Sequence, residues 1–366
     1  MITPVPRRSY PLPAMFSGSN HRPVVLQWGR IRHGAARFRT SGIMMRRHAV
    51  IASALLLLAG AAARPALADT EVTFGVTSAT GFNLAHFVAI EKKYYETEKL
   101  KVDMIVAGAA VGVLQQIAAG SLNMAQAATD QSLRAILRGA PIKIVAGAAS
   151  NAPFRVVAAK TIRSWGDLKG KTISVGGLTD VTLYFLRVMA RKNGLADQDY
   201  DLLFAAGTPA RFAQLVSGAV AAAMLTNPVD FSALEQGYVD LGSVPQYLPN
   251  WAQNNILVNT RWAAQNRDTV LAFLRAHIKA TNYIYEPAHR DEVIAILAKH
   301  TKATPQIAAA TYDLYIKQGV IARGAALYED GIKANFDALV ALGDLAAAPP
   351  LDRFVDPSFL AEAAKQ

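Results

Sequence analysis

The sequence predicts an α/β protein built as two lobes, and three observations carry that prediction. From residue 71 onward, short β-branched runs alternate with amphipathic helical stretches, the pattern of strands and helices arranged around largely parallel sheets. The alternation comes in two successive blocks, one before and one after residue 154. A last strand at residues 255–260 is then followed almost wholly by helix, as happens when a chain leaves one lobe and returns to it.

Residues 71–76 form the first strand, and a Ser/Thr/Gly loop follows over 77–81. A helix over 83–96 sets Phe87, Ile90 and Tyr94 on one face at i, i+3 and i+7. Residues 101–106 are the second strand, and the helix over 111–119 turns Leu114, Ile117 and Ala118 inward. Strand 123–127, helix 130–138 and strand 142–148 complete the first block. In the second block, strand 154–160 leads to a surface turn over 165–170. Strand 171–175 then runs through Gly176-Gly177 into a helix over 180–193, closed by Gly194. Strand 199–205, helix 209–218, strand 221–226 and helix 229–236 repeat the alternation. The longest helix covers 268–285 with Leu271, Leu274 and Ile278 inward, and Pro287 stops it. Two or three more helices fill 290–344, and a Pro-rich tail follows Ala348. Strands 154–160 and 255–260 are the expected crossings, with one lobe of residues 69–156 plus 259–366 and the other of residues 157–258. A ligand is then expected between the lobes, at loops beyond the carboxyl ends of strands.

Residues 44–68 read as an export signal. Arg46 and Arg47 precede an apolar stretch over 49–63, and Ala66-Leu67-Ala68 is a small-x-small cleavage triplet. The stretch is shorter than the roughly 20 apolar residues of a membrane-spanning helix; the alternative is a buried N-terminal helix. Residues 1–43 hold seven Arg and no acidic residue, without apolar periodicity, and read as an unstructured stretch from a mis-assigned start. Cleavage after Ala68 would leave a periplasmic protein.

The formal charge of +11 suggests a polyanion binder until it is partitioned. Ten of the 38 basic residues precede Asp69, so 28 remain against 27 acidic residues, and the expectation of a nucleic-acid partner loses its electrostatic support. The absence of cysteine excludes disulfides, thiolate metal sites, Cys nucleophiles and a lipid-anchoring Cys. No Gly-x-Ser-x-Gly, His-Glu-x-x-His, phosphate-loop or dinucleotide pattern occurs. Beyond residue 68 the histidines are His86, His277, His289 and His300; His289 and Glu292 stand at helical spacing but lack a third ligand. The expectation is no catalytic residue, no metal, no cofactor and no enzymatic activity.

Four segments carry a resemblance. Residues 165–175, WGDLKGKTISV, resemble the "DLKGKxIAV" segment of bacterial solute-binding proteins, and residues 89–95, AIEKKYY, with 100–102, LKV, resemble their "A…KGYFxxxGLxV" start. Residues 120–125, GSLNMA, resemble the "GxxDxx" strand entry, and residues 223–228, AMLTNP, the "DAxxxxxP" step. The chain departs from the pattern at Lys93, where the family has Gly, and at 220–223, which lacks the usual acidic residue. The nearest resemblance is to the nitrate/sulfonate/taurine and thiamine-pyrimidine-precursor binding group of ABC importers, over nearly all of residues 71–340. It implies a two-lobed periplasmic-binding-protein fold of type II-like form with two crossing strands as hinge. It also implies a small-molecule ligand, a membrane permease as partner, a monomer, and hinge closure on binding. The alternatives are a pyrimidine or aromatic carboxylate as ligand, an enzyme on this fold, or a sensor.

Such proteins capture anions largely with helix N-termini and neutral donors. Gly176 to Asp180 sits where a strand gives way to a helix, so Thr179, Val181 and Thr182 are expected ligand contacts; alternatively the glycines only make the turn and Asp180 caps the helix. Thr80 and Phe82 follow the first strand, and Thr129 follows the third, where Asp130 reads as an N-cap. Asn227 ends a strand of the second lobe. Phe82 and Trp251 either cover an organic ligand or belong to the core. Asn151 and Arg155 flank the first crossing strand, and Arg155 is the cationic choice for a carboxylate or sulfonate, or else a solvated edge residue.

Overall fold

A computed structural model describes residues 69–365, so the expected leader and the residues before it lie outside the described part. Two five-stranded sheets organise the described residues. The first contains β1 (Thr70–Val76), β2 (Leu100–Val106), β3 (Met124–Ala128), β4 (Ile142–Ala149) and β10 (Asn254–Asn259), in the order β2-β1-β3-β10-β4. The second contains β5 (Arg155–Ala158), β6 (Thr172–Val175), β7 (Asp201–Phe204), β8 (Ala222–Leu225) and β9 (Val239–Ser243), in the order β7-β6-β8-β5-β9.

The two orders are the same pattern. In each sheet the second position is held by a strand that pairs in parallel on both sides, β1 in the first, as in Phe74 with Met104 and with Met124, and β6 in the second. In each, the fourth position is held by the one strand that runs against both neighbours, β10 in the first sheet and β5 in the second. β5 is the first strand after the chain leaves the first sheet, and β10 the first after it returns. The edge strand β9 was not expected; its Val-Asp-Leu-Gly-Ser sequence alternates too weakly to announce itself, and pairing with β5 defines it.

Helices cover the sheets. In the first lobe these are α1 (Leu84–Glu91), α2 (Tyr94–Thr97), α3 (Ala110–Ala119) and α4 (Thr129–Leu137). The second lobe has α5 (Val181–Lys192), α6 (Thr208–Val216) and α7 (Val229–Glu235). After β10 come α8 (Thr260–Gln265), α9 (Arg267–Tyr285), α10 (Arg290–Thr301), α11 (Pro305–Gln318), α12 (Glu329–Ala341) and α13 (Ser358–Ala363).

Three local expectations change. The single helix over 83–96 is broken, because Lys93 adopts φ +56°, the left-handed conformation natural to the glycine that the resembling segment carries there. In α3 it is Val113, with Leu114 and Ile117, that is fully buried, while Ala118 is half-buried. The turn at 165–170 is an anchor: Trp165 and Leu168 are buried, and the indole N–H donates to the Leu241 carbonyl at 2.8 Å. The C-terminal stretch also docks, since Phe354 is fully buried and Ile144 exchanges backbone hydrogen bonds with Phe354 and Asp356.

Candidate functional site

The loops beyond the carboxyl ends of the parallel strands of both sheets meet around a cavity of about 90 Å³. The first lobe contributes Thr77, Ser78, Thr80 and Phe82 after β1, Ala110 at the start of α3, and Gln126 of β3. The second contributes Asp180, Val181 and Thr182 at the start of α5, Gly207, Thr208 and Arg211 at the start of α6, and Thr226 after β8. Phe154 and Gln253 come from the segments joining the lobes.

The second-lobe wall is built by capping. Asp180 precedes α5 in extended conformation, and its Oδ1 accepts the Thr182 N–H at 2.9 Å and the Thr182 hydroxyl at 2.5 Å. Thr182 Oγ1 in turn accepts the Gly176 N–H at 2.8 Å. A Cβ on Gly176 would sit 2.3 Å from Asp180 Cγ, which is why the turn needs glycine there. Both arms of the sequence alternative hold together: Asp180 is a cap, and the helix start it caps lines the cavity.

The cation of the site is Arg211. It is 3% exposed, and it donates from Nε to the Met224 carbonyl (2.6 Å), from Nη1 to the Ala205 carbonyl (3.2 Å) and from Nη2 to Thr208 Oγ1 (3.0 Å). All three acceptors are neutral, and two of its five N–H groups are left over. Burial pulls its pKa down to about 10, against a smaller upward pull from the Asp180 charge, so the guanidinium stays protonated at neutral pH. Two further polar atoms of this cavity's lining residues, Thr226 Oγ1 and Gln253 Oε1, are buried without a hydrogen-bond partner.

The first-lobe wall is neutral, and its Gln126 is already partnered. Gln126 Oε1 lies 3.0 Å from His86 Nε2, and its Nε2 donates to the Phe82 carbonyl at 3.0 Å. His86 Nδ1 lies 2.8 Å from the Tyr95 hydroxyl, an arrangement satisfied when Nε2 carries the proton and Nδ1 accepts. Burial first, and then the neighbouring His277, hold the His86 pKa well below the ordinary histidine value.

The residues expected at the site divide. Thr80, Phe82, Val181 and Thr182 line the cavity. Thr129 is buried beside it, its hydroxyl accepting from Asn255 Nδ2 at 2.7 Å. Asn227 is buried, with its amide donating to both Asp230 oxygens at 2.9 Å, and the neighbouring Thr226 takes the lining position. Thr179 lines a neighbouring groove instead of the cavity, because its carbonyl is drawn to Arg134. Trp251 packs on Tyr184 and Phe185, with ring centroids 5.6 and 5.0 Å away, away from the cavity lining. Asn151 lies in a separate shallow groove with Gln318 and Tyr328. Arg155 pairs with Asp230 at 3.3 Å and with Asp240, so its charge is spent inside the second lobe.

Arg211 escaped the sequence reading, although one signal was present. A cation in the first turn of a helix opposes the helix dipole, so it marks a place where a negative group is expected to compensate. Among the described residues, no group of three or more His, Asp or Glu side chains is placed to hold a metal ion, and no helix is long and apolar enough to cross a membrane.

The family described as NMT1/THI5 like matches residues 82–290. Among curated proteins none matches. Of solved structures, the periplasmic nitrate-binding protein NrtA from Synechocystis PCC 6803 superposes with a TM-score of 0.70 at 14% identity, covering 81% of this chain and 88% of that one. The alkanesulfonate-binding protein SsuA from Xanthomonas axonopodis pv. citri, bound to MOPS, gives 0.62 at 20% identity, covering 81% and 97%. A conserved Candida albicans gene product, described as exhibiting the generic periplasmic binding protein structural fold, gives 0.61 at 14% identity, covering 81% and 94%.

Proposed function

Because the chain belongs to the NMT1/THI5-like family and has the periplasmic binding protein fold, we propose that it is the periplasmic substrate-binding component of an ABC importer and that its cleft captures a small anion of the sulfonate, taurine or nitrate kind. The observation that carries the ligand class is Arg211, a buried guanidinium at the cavity whose three hydrogen-bond acceptors are all neutral. A buried guanidinium with no carboxylate hydrogen-bonded to it, and only the Asp180 charge nearby, is costly, and an anion in the cleft would bond its two spare N–H groups. The starts of α5 and α6 add two helix N-termini on the same wall. A cavity of about 90 Å³ suits few heavy atoms, since pockets for drug-sized ligands run to roughly 300–1,000 Å³.

On this reading the lobe built on the sheet β7-β6-β8-β5-β9 takes the anion first, and the lobe built on the sheet β2-β1-β3-β10-β4 closes over it. The closed monomer then presents its ligand to a membrane permease, after export and removal of residues 1–68. Differential affinity for the closed form drives the change. The chemistry asked of the site is capture and release, with no bond made or broken.

The test is calorimetric titration of the purified protein with nitrate, methanesulfonate, taurine and a neutral aminopyrimidine. At least one anion should bind, Arg211→Met should weaken it more than 100-fold, and Arg211→Lys should fall between, since a charged hydrogen-bonded partner is worth about 3 kcal/mol. Binding of the pyrimidine with no anion, or an anion affinity unmoved by Arg211→Met, would overturn the reading.

A further inference from the structure

The lobes touch across the cleft at the edge of the cavity, where Asp180 belongs to both. From α4, Gln131 Nε2 donates to Asp180 Oδ2 at 3.3 Å, and Arg134 Nη1 donates to the Thr179 carbonyl at 3.2 Å. Both acceptors belong to the turn that caps α5, and the next residues of that turn line the cavity. Arg134 is itself fixed, by Asp130 at 2.9 Å on its own helix and by Asp344 at 2.5 Å beyond α12. Its side chain is only 13% exposed, so little of its charge is dissipated in water.

We propose that α4 is the closure latch of the binding site, in which Gln131 and Arg134 are positioning residues that hold the Thr179–Asp180 turn against the first lobe, and that bringing the Asp130 and Asp180 carboxylates together makes closure take up a proton. The inference rests on the reading of the cleft as an anion site that opens and closes. The charged and titratable groups around Asp130 are Arg134 on its own helix, Asp180, Tyr184 and Arg187 on the facing lobe, and Asp337 and Asp344 on and beyond α12.

The sign follows from the two states. With the lobes in contact, as they are here, burial pushes the Asp130 carboxyl up to about 7; Arg134 opposes this, and the Asp180 charge adds to it. Opening removes Asp180 and admits water, so the carboxyl returns toward its ordinary range. Protonated Asp130 therefore favours closure, and the closed population grows as pH falls below about 7 and is flat well above it. Methanesulfonate and nitrate do not titrate in this window, so the dependence belongs to the protein.

The chain has no cysteine, so spin labels can be placed cleanly on the exposed ends of the edge strands of the two sheets, at Val106→Cys and Phe204→Cys, to report the width of the cleft mouth. With methanesulfonate present, the closed-to-open ratio should rise between pH 8 and pH 6, by at most tenfold per unit. Asp130→Asn should flatten that profile, and Arg134→Gln should lower the ratio several-fold at every pH while leaving Arg211 in place. Asp230, pushed up to about 6 by burial beside Arg155, is the other carboxyl raised toward this window, and a profile unchanged in Asp130→Asn would assign the linkage there and overturn the latch. A flat wild-type profile, or an Arg134→Gln variant that closes normally, would overturn it as well. Failure of the anion reading shows separately, as a distance distribution unmoved by methanesulfonate and nitrate; the pH dependence of closure is then read from the ligand-free protein, with the same outcomes deciding.

Discussion

Each lobe buries bases at the cleft, and the same desolvation leaves them in opposite charge states. In the first lobe, His86 and His277 stack with ring centroids 4.7 Å apart behind Gln126, and burial drives both below the ordinary histidine value, His277 to about 4. In the second lobe burial lowers Arg211 as well, yet only to about 10. Around neutral pH the imidazoles are therefore discharged and the guanidinium is not. The lesson is that burial chooses the charge of a wall through the reference pKa of the base placed there. The first wall offers shape and neutral dipoles, while the second offers charge.

The largest effect that tests this contrast concerns the neutral side. An imidazole kept discharged by burial gives stability that is present above the unfolded-state pKa, near 6.5, and lost as pH falls toward the folded-state value of about 4. Replacing it by an apolar residue, His277→Leu, should leave urea stability near neutral pH changed by packing alone. The difference from wild type should then shift in the variant's favour by about 3 kcal/mol on going to pH 4. Taking the difference between variant and wild type at each pH cancels the opposite trend of the buried carboxyls Asp130 and Asp230, which both proteins share and which gain protons in the folded state as pH falls. Parallel acid profiles for the two proteins would show that His277 is already charged in the fold, and the contrast between the lobes would collapse.

A smaller effect tests the charged side. Gly176→Ala forces a Cβ onto the Asp180 carboxyl, displacing the cap of α5. Stability should fall by about 1 kcal/mol, the usual worth of an N-cap, and anion affinity by about tenfold as the helix start moves. Thermal denaturation and titration on one preparation read both. An affinity unchanged in the face of lost stability would mean that Arg211 alone, without the α5 terminus, carries recognition.

Much of the fold was legible because its signals are local. Strand-to-helix alternation, the two short crossing runs and the caps at Asp180 and Gly194 are all written within a few residues of where they act. The cavity loops were legible for the same reason, which is why Thr80, Phe82, Val181 and Thr182 come to line one space. Choosing between two arginines was a different problem. Arg155 looked available, but Asp230 and Asp240, which neutralise it, lie 75 and 85 residues further along the chain. Arg211 looked like an ordinary helical residue, and only the folded second lobe shows that its hydrogen-bond acceptors are carbonyls and a hydroxyl, with the Asp180 carboxylate near but not bonded to it. Counter-ions are a tertiary property, so the chain's periodicity does not encode which cation is left over.

The smallest effect, on binding alone, is the most informative about what the charged wall holds. Thr226 Oγ1 is buried without a hydrogen-bond partner, on the same side as Arg211. If the captured anion presents an oxygen there, Thr226→Val deletes one hydroxyl donor to it at constant shape and should weaken binding about tenfold, corresponding to roughly 1.5 kcal/mol, the low end for a hydrogen bond to a charged group. If the anion presents a carbon instead, the valine methyl meets it without desolvating a hydroxyl, and the variant should bind as well as or better than wild type. Titrating wild type and Thr226→Val with nitrate and with methanesulfonate separates the cases, because nitrate has an oxygen on every side and methanesulfonate has one apolar end. Weakening for nitrate alone would orient the sulfonate with its methyl toward β8, whereas equal weakening for both would point the methyl toward the first wall and leave the second entirely to charge and hydrogen bonds.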